Sequence, residues 1–443
     1  MTNEISSYSA AVTIFATMLG FGILCTPKAA AGIGWLNTIL LVFIVGLLSF
    51  FSFLLIFESC KNFEKLNIDE TENLNNLEEL KINNPKNECE LEKIEIQGFS
   101  TLLFNSNKYI RKISEICIFL GSFTANIAYT KTLVNFVINI INTTKEYDIL
   151  INVLISLFHF LLTFKKDISF LGKISFLSSI ATLGVSSTLF LYLSQYDQKY
   201  DVDMLNYNFE KALGTFIFTF SCQSVIPNIY NSLENKKQTT LISLISSFMG
   251  IASVLFFAIP GYLISGHEIL NNSASDILNF LSAGETTFSN FLENSFDKNG
   301  IAIKFCNVLF FIVLNISYRL QSFVGINSLI GLNKPSKSKL RNFFSETFIS
   351  FLYIGISSLL SVFDGTNDVV NFSGTYILSF TSFILPIICY FSTRISRNRC
   401  FEFMAFLLFF SFLITTFSIT ILNFLENPNI TCLNSLNNTF LYE

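Results

Sequence analysis

Long apolar runs separated by shorter polar segments make up most of this 443-residue chain. A helix needs about 20 apolar residues to cross the ~30 Å hydrocarbon core of a bilayer. Runs of about that length lie at residues 9–31, 34–57, 113–140, 149–164, 169–194, 212–232, 239–264, 303–330, 343–363, 372–392 and 401–424. The pattern predicts an all-α integral membrane protein with about eleven transmembrane helices. The fourth run is short and the ninth is weakly apolar, so ten or twelve spans remain alternatives.

The positions of lysine and arginine predict how these helices are oriented. If the N-terminus at residues 1–8 is cytosolic, the segments on the cytosolic side hold 20 of the 28 basic residues. Basic residues accumulate in the cytosolic loops of membrane proteins. We therefore predict a cytosolic N-terminus and an outer or lumenal C-terminal tail at residues 425–443. The plasma membrane and a vacuolar membrane remain alternative locations.

Polar segments divide the predicted helices into groups. Helices 1–2 occupy residues 9–57, helices 3–5 occupy 113–194, helices 6–10 occupy 212–392, and helix 11 occupies 401–424. Residues 58–112 are predicted to form a polar cytosolic loop, and we interpret its residues 61–98 as a solvated segment that is disordered or weakly helical, with partner binding as the alternative. A second large loop, at 265–302, is predicted on the outer side.

Composition and motifs exclude several classes of function. Only 14% of the residues are charged, whereas soluble globular chains have about 25%, and this deficit fits a protein in contact with a lipid bilayer. The net charge is −4, and no basic tract is dense enough to bind nucleic acid. Nine cysteines without a Cys-x-x-Cys pair and only two histidines predict no metal site, and we expect no cofactor. Because no catalytic residues form a recognisable constellation, we predict that the chain is not an enzyme.

The first apolar run contains residues that interrupt a helix. Its segment "TMLGFGILCTPKAAAGIGW" carries Gly20, Gly22 and Pro27 where a continuous span would carry leucine or isoleucine. At 1.5 Å per residue, the twelve residues from Ser9 to Phe21 cover about 18 Å, close to the middle of the bilayer. Interrupted backbone at that depth is tolerated only where it faces protein or a wet cavity.

The sixth run is interrupted at a similar depth. Residues 221–224, "SCQS", break its apolar face, and Pro227 follows. The two interrupted helices are five spans apart, so they occupy matching positions in two inverted five-helix halves, an arrangement that marks the central site of many transporters. Freed N–H groups can hold a carboxylate and freed carbonyls can hold an ammonium or a cation. The alternative is that these glycines and prolines only kink the helices.

Three motifs resemble those of a known family. "GFGILCTPKAAAGIGW", "LGTFIFTFSCQSVIPNIYNSLEN" and "FSGTYILSFTSFILPIICYF" are similar to the first, sixth and tenth helices of the amino acid/auxin permease family, within the amino acid–polyamine–organocation superfamily. The resemblance covers nearly the whole chain except the 58–112 segment. It implies a leucine-transporter-type fold of five plus five inverted helices with one extra helix, and secondary active transport of amino acids.

The resemblance also implies which residues meet the substrate. Carried over position by position, the substrate backbone should meet Leu19, Gly20, Phe21, Gly22 and Ile23 in helix 1, and Phe220, Ser221, Cys222 and Gln223 in helix 6. Asn126 or Tyr129 in helix 3 would face the cavity, although hydrogen bonding between helices is an equal alternative for Asn126. No residue is assigned a catalytic or metal-binding role.

Arg319 departs from the family pattern. It stands where the similar family segment has a proline, in the predicted inner half of helix 8. In the related sodium-driven fold, helices 1 and 8 together bind sodium at this level. We hypothesise that the guanidinium permanently occupies the cation position and makes transport independent of sodium. The alternatives are pairing with a carbonyl at a helix end and reaching to the membrane surface.

The resemblance thus implies a carrier of neutral amino acids that works by alternating access and is coupled to protons. A sodium-coupled or passive amino acid carrier is the first alternative. The second is a sensor that keeps the fold and binds an amino acid without moving it, with residues 58–112 as its signalling surface. The expected partners are the amino acid, H+ or Na+ as the coupling ion, and the lipid bilayer.

Overall fold

The structure is a computed structural model, and it describes residues 5–18, 20, 22–79, 98–103, 106–141, 147–164, 175–187, 202–206, 209–266, 301–332, 339–362, 372–396 and 398–426. Within these residues the chain is helical apart from short links and an isolated bridge between Ile5 and Leu233. The predicted outer loop at 265–302 and the tail at 425–443 lie almost entirely outside the described residues.

The described helices follow one another in this order. The first half contains α1 (Ser7–Met18), α2 (Gly22–Ile33), α3 (Trp35–Glu79), α4 (Phe99–Leu102), α5 (Lys108–Ile141), α6 (Asp148–Leu162) and α7 (Ser175–Ser187). The second half contains α8 (Phe209–Phe220), α9 (Ile226–Asn231), α10 (Thr239–Ser265), α11 (Ile301–Leu332), α12 (Lys339–Ser361), α13 (Ser373–Thr393) and α14 (Arg399–Glu426).

Many of these helices are long and apolar enough to cross a membrane. Among the described residues seven stretches meet that criterion, one of which, Ala212–Asn231, includes both α8 and α9, and the bent pair α1–α2 makes an eighth span if it is counted as one. Helices α6 and α7 are apolar but shorter. The chain is therefore a multi-pass helical membrane protein, while the number of eleven spans stays a prediction.

The helices pack into two groups with one helix between them. The first group consists of α1, α2, α3, α8, α9 and α10, and the second of α5, α6, α11 and α12. Helix α13 contacts α3 and α8 in the first group and α5 in the second. Its first half is π-helical over Ser373–Leu378 and Phe380–Ile384, a wider winding that occurs frequently at functional sites.

The ends of the first group are joined on the predicted cytosolic side. The Ile5 amide donates to the carbonyl of Ser232 (2.8 Å), and the Glu234 amide donates to the carbonyl of Ile5 (3.1 Å). Glu64 of α3 forms an ion pair with Lys236 and accepts a hydrogen bond from the Tyr230 hydroxyl (2.8 Å). These bonds tie α3 to the segment between α9 and α10, and the start of the chain to that same segment.

The predicted cytosolic loop at 58–112 is helical at both ends. Helix α3 continues past residue 57 to Glu79, because residues 58–79 contain no glycine or proline and half of them are glutamate, leucine or lysine, which favour helix. At the other end Gly98 has a φ of 141°, a conformation that glycine adopts readily, and it leads into α4. Residues 80–97, between these two ends, lie outside the described residues.

Helix α4 anchors the end of this segment to the bundle. Phe99, Leu102 and Leu103 are buried in the main apolar core, and α4 packs against α3, α5 and the last turns of α13. Residues 99–103 are therefore packed against the helices, and the assignment of 58–112 to a cytosolic loop stays a prediction. The sequence signal was present, since an apolar "FSTLLF" follows the charged stretch.

We expect Phe99→Ala to destabilise the protein by about 3–5 kcal/mol, because it removes a fully packed aromatic side chain and leaves a cavity. Thermal unfolding of the purified protein in detergent measures the effect. Tyr109→Ala is the matched control, since Tyr109 is 73% exposed and lies ten residues away on α5. Equal melting temperatures for the wild type and Phe99→Ala would show that α4 is not anchored.

Candidate functional site

The first interrupted helix is present. Helix α1 ends at Met18 and α2 begins at Gly22, with an angle of 54° between their axes. At such a break the last carbonyls of one helix and the first N–H groups of the next lose their intrahelical partners. Gly20 lies buried in the break, whereas the predicted site residues Leu19 and Phe21 lie outside the described part of the chain.

The second interrupted helix is also present. Helix α8 ends at Phe220, Ser221 and Cys222 are not helical, and a 3₁₀ turn from Gln223 to Val225 leads into α9. The Ser221 hydroxyl donates to the carbonyl of Ile217 (2.6 Å), one of the carbonyls that the break frees. Ser221, Cys222 and Gln223 are all buried.

The two breaks lie next to each other because Gly22 permits close contact. A Cβ added to Gly22 would lie 2.7 Å from Thr219 Cα, so the start of α2 packs directly on the backbone of α8. A Cβ added to Gly20 would overlap the hydroxyl of Tyr129. The glycines that identify the break in the sequence are thus also the points where α8 and α5 approach it.

Tyr129 and Asn126 have different surroundings. Tyr129 is buried with its hydroxyl at the first break, and its ring packs edge-on against Tyr318 at 6.4 Å. The Asn126 amide donates to the hydroxyls of Ser322 (3.0 Å) and Tyr353 (2.9 Å), between α5, α11 and α12. This placement favours the alternative for Asn126, a hydrogen bond between helices.

Three other predicted residues have their side chains in packing contacts. An added Cβ at Gly250 of α10 would lie 3.3 Å from the Phe220 ring, so this ring is directed toward α10. Ile23 and Cys222 are buried in the main apolar core. These three residues can therefore offer a ligand their backbone groups, as the prediction for the substrate backbone requires.

A small cavity adjoins the second break, with room for about one water molecule. It is lined by Ile118, Ser122, Ser221, Gln223, Ser224, Gln321, Leu378 and Thr381. Ser221 and Gln223 are predicted site residues, and the other six lining residues are not. None of the eight carries a charge, so the cavity is a polar but neutral environment.

Ser382 of α13 holds the second break and was not predicted. Its Oγ lies 2.9 Å from Ser221 Oγ and 3.0 Å from Gln223 Oε1, and all three side chains are buried. The available signal was weak, a polar residue four positions before Pro386 in the apolar run "SFTSFILP". Ser122 and Gln321 are likewise polar residues within apolar runs.

The family follows from a comparison over nearly the whole chain. Residues 3–424 match the model of the family described as "Transmembrane amino acid transporter protein". The chain belongs to this family. A search of curated proteins finds no significant match. For a transmembrane amino acid transporter, family membership indicates transport and not enzymatic catalysis.

Solved structures show the fold of this transporter. It is similar to a Na+-coupled sialic acid symporter in a substrate-bound, outward-open state, with 14% identity, a TM-score of 0.55, and coverage of 89% of this chain and 80% of that chain. Two structures of the Eremococcus coleocola manganese transporter are also similar. A single-residue mutant of it has 13% identity and a TM-score of 0.60, and the complex with an aromatic bis-isothiourea compound has 12% and 0.59; each covers 94% of this chain and 85% of that chain. The predicted leucine-transporter-type fold is confirmed.

The structure of this amino acid transporter places Ser317 against the first break. The Ser317 hydroxyl donates to the carbonyl of Ala16 in the last turn of α1 (3.1 Å). Arg319 is two positions along, about 200° around α11, and its guanidinium lies 6.0 Å from the Phe323 ring. Ser317 is therefore the residue of this turn that bonds α1, and the hypothesis that the Arg319 guanidinium occupies the cation position stays a prediction.

Proposed function

We propose that this protein is a secondary active transporter of neutral amino acids that works by alternating access and uses a proton gradient. The observation that carries the proposal is the pair of buried helix breaks, which are in direct contact at Gly22 and Thr219. Two breaks at one place concentrate peptide groups without intrahelical partners, and a small polar ligand can satisfy them.

The polarity of the breaks suits a zwitterion. The N-terminus of α2 carries the positive end of its helix dipole and can receive a carboxylate. The last carbonyls of α1 and α8 carry the negative ends and can receive an ammonium. Since none of the residues that line the adjoining cavity is charged, the net charge of the ligand is best neutral. A neutral amino acid has both groups and no further charge.

The two packing groups support alternating access. The first group contains both broken helices and is tied together at the predicted cytosolic side by the Ile5–Leu233 bridge and the Glu64–Lys236 ion pair. Such a unit can rock against α5, α6, α11 and α12 around a site between them. The cavity lies where the two groups meet, with Gln223 on one side and Ser122 and Gln321 on the other.

The contact between α1 and α11 lies where a coupling ion would bind in the related sodium-driven fold. In the related sodium-driven fold, the helices that correspond to α1 and α11 hold the ion together. Here the carbonyl of Ala16 accepts the hydroxyl hydrogen of Ser317 (3.1 Å), which brings together two oxygen atoms that could coordinate a cation. We propose protons because the family resemblance implies them, and uptake in the absence of sodium tests this choice.

Reconstitution into liposomes tests the proposal. With labelled neutral amino acids and choline in place of sodium, we expect accumulation against the concentration gradient when the outside is acidic. A protonophore should abolish that accumulation, and protein-free liposomes should show none. Uptake that requires sodium at a fixed pH gradient would exclude proton coupling, and binding without uptake under either gradient would indicate a sensor.

A further inference from the structure

Gln223 has one end of its carboxamide fixed and the other end facing the cavity. The residue is 2% exposed, and it lines the cavity at the second break. One terminal atom of its carboxamide lies 3.0 Å from Ser382 Oγ. The other is buried and has no hydrogen-bond partner among the described residues. Leaving such a group unpaired costs about 1–3 kcal/mol, which points to a ligand that completes it.

A count of hydrogens identifies which atom faces the cavity. Ser221 Oγ is 2.6 Å from Ile217 O and 2.9 Å from Ser382 Oγ, and Ser382 Oγ is 3.0 Å from Gln223 Oε1. These three contacts need three hydrogens, but the two serine hydroxyls supply only two. The oxygen and nitrogen of a carboxamide have nearly the same shape and can be exchanged by a rotation of 180°. In the rotated Gln223 side chain, the N–H group supplies the third hydrogen.

The three hydrogen bonds therefore form a chain with a single direction of donation. Gln223 donates to Ser382, Ser382 donates to Ser221, and Ser221 donates to the freed carbonyl of Ile217. With its nitrogen used in this way, the carboxamide presents its oxygen to the cavity. A carbonyl oxygen is a hydrogen-bond acceptor only, so the group that completes this site is a hydrogen-bond donor.

The rest of the lining restricts the donor further. Ser122, Ser224, Gln321 and Thr381 are polar and uncharged, so a charged side chain in the cavity would have no counter-ion. An apolar side chain next to the cavity has no hydrogen to donate, so it would leave the Gln223 oxygen buried and unpaired. Sites built to bond a substrate hydroxyl or N–H reject analogues that lack the group.

We propose that Gln223 determines specificity by accepting a hydrogen bond from the substrate side chain. This inference rests on the proposed function and gives it a narrower substrate class, amino acids whose uncharged side chain ends in a hydroxyl or a carboxamide. Ser382 is a positioning residue, because it holds the other end of the Gln223 amide and does not line the cavity.

Uptake of pairs of amino acids of nearly equal shape tests the proposal. Threonine and valine differ by a hydroxyl in place of a methyl, and asparagine and leucine by an amide in place of two methyls. In proteoliposomes we expect the wild type to prefer threonine and asparagine. Gln223→Met, which keeps the side-chain length, should reduce the threonine-to-valine ratio of uptake efficiency about tenfold or more, because threonine loses a hydrogen bond that valine never makes.

Two further variants complete the test. Gln238→Met is the matched control, since Gln238 is exposed on the turn before α10, and it should leave the ratio unchanged. Ser382→Ala should lower the ratio by a smaller factor, because Gln223 is present but less well held. This variant and the wild-type ratio decide the question if Gln223→Met does not fold.

Several outcomes would overturn the inference. Equal losses of threonine and valine uptake in Gln223→Met would assign the Gln223 oxygen to the substrate ammonium, which both amino acids share. An unchanged ratio, or a wild type that prefers valine to threonine, would exclude a bond to the side chain. A wild type that carries no amino acid would overturn the proposed function itself, which is a separate result.

Discussion

Gly22→Leu is expected to abolish amino acid uptake, with a loss of about 100-fold or more, while the protein still reaches the membrane. Even the first atom of the new side chain would lie 2.7 Å from Thr219 Cα. A backbone atom cannot turn aside as a flexible side chain can, so α2 and α8 must separate. Overpacking of this kind lowers the stability of a protein by about 1–3 kcal/mol. Here the strain acts at the contact between the two breaks, where we place the substrate.

Uptake in proteoliposomes or cells, normalised to the amount of protein at the membrane, measures this effect. Gly355→Leu is the matched control, since a Cβ added to Gly355 of α12 meets no atom within 4 Å, and its uptake should equal that of the wild type. Gly22→Ala should be intermediate or equally inactive. Wild-type uptake by Gly22→Leu at a normal membrane level would show that transport does not need α2 and α8 to touch at this point.

The positions of the two breaks could be predicted because their causes are local. Gly20 and Gly22 weaken one helix and the polar run 221–224 interrupts the other, each within a few residues of sequence. Backbone that is not hydrogen-bonded within its own helix is so costly in a membrane that clusters of this kind are informative. The same locality allowed the long apolar runs to predict most of the described helices.

Contacts between helices could not be read in the same way. Asn126 and Tyr129 are three positions apart, about 60° around α5, so the sequence places them on one broad face. Packing separates them, because the Asn126 amide donates hydrogen bonds to Ser322 and Tyr353, whereas the Tyr129 hydroxyl lies against Gly20. The same reason explains why Ser382 was missed, since its partners are some 160 residues away in sequence.

Arg319 illustrates a different limit of sequence reasoning. A buried arginine in an apolar run draws attention because ionisable residues in membranes are costly and commonly functional. The residue that bonds the broken helix is its inconspicuous neighbour Ser317, one of many serines in the apolar runs. Residue type alone identifies Arg319 as unusual. Which residue of α11 faces α1 depends on how the helix is rotated about its own axis in the bundle, and the sequence does not show that rotation.

Tyr129→Phe is expected to raise the apparent KM for amino acid uptake about 10- to 100-fold with a smaller effect on the maximal rate. The Tyr129 hydroxyl lies against Gly20 in the first break, next to the N-terminus of α2 where we place the substrate carboxylate. A hydrogen bond to a charged group contributes about 1.5–3 kcal/mol. Phenylalanine keeps the ring, and with it the edge-on contact to Tyr318, so the change removes the hydroxyl alone.

Concentration dependence of initial uptake rates measures the effect, and Tyr353→Phe separates it from a general loss of stability. Tyr353 is also a buried tyrosine, but its hydroxyl accepts a hydrogen bond from the Asn126 amide between α5 and α12. Among the described contacts of Gly20, Tyr353 does not occur. This control should lower the melting temperature and leave KM unchanged. An unchanged KM in Tyr129→Phe would place the carboxylate elsewhere in the breaks. Equal rises in both variants would mean that KM reports the integrity of the second packing group and not contact with the substrate.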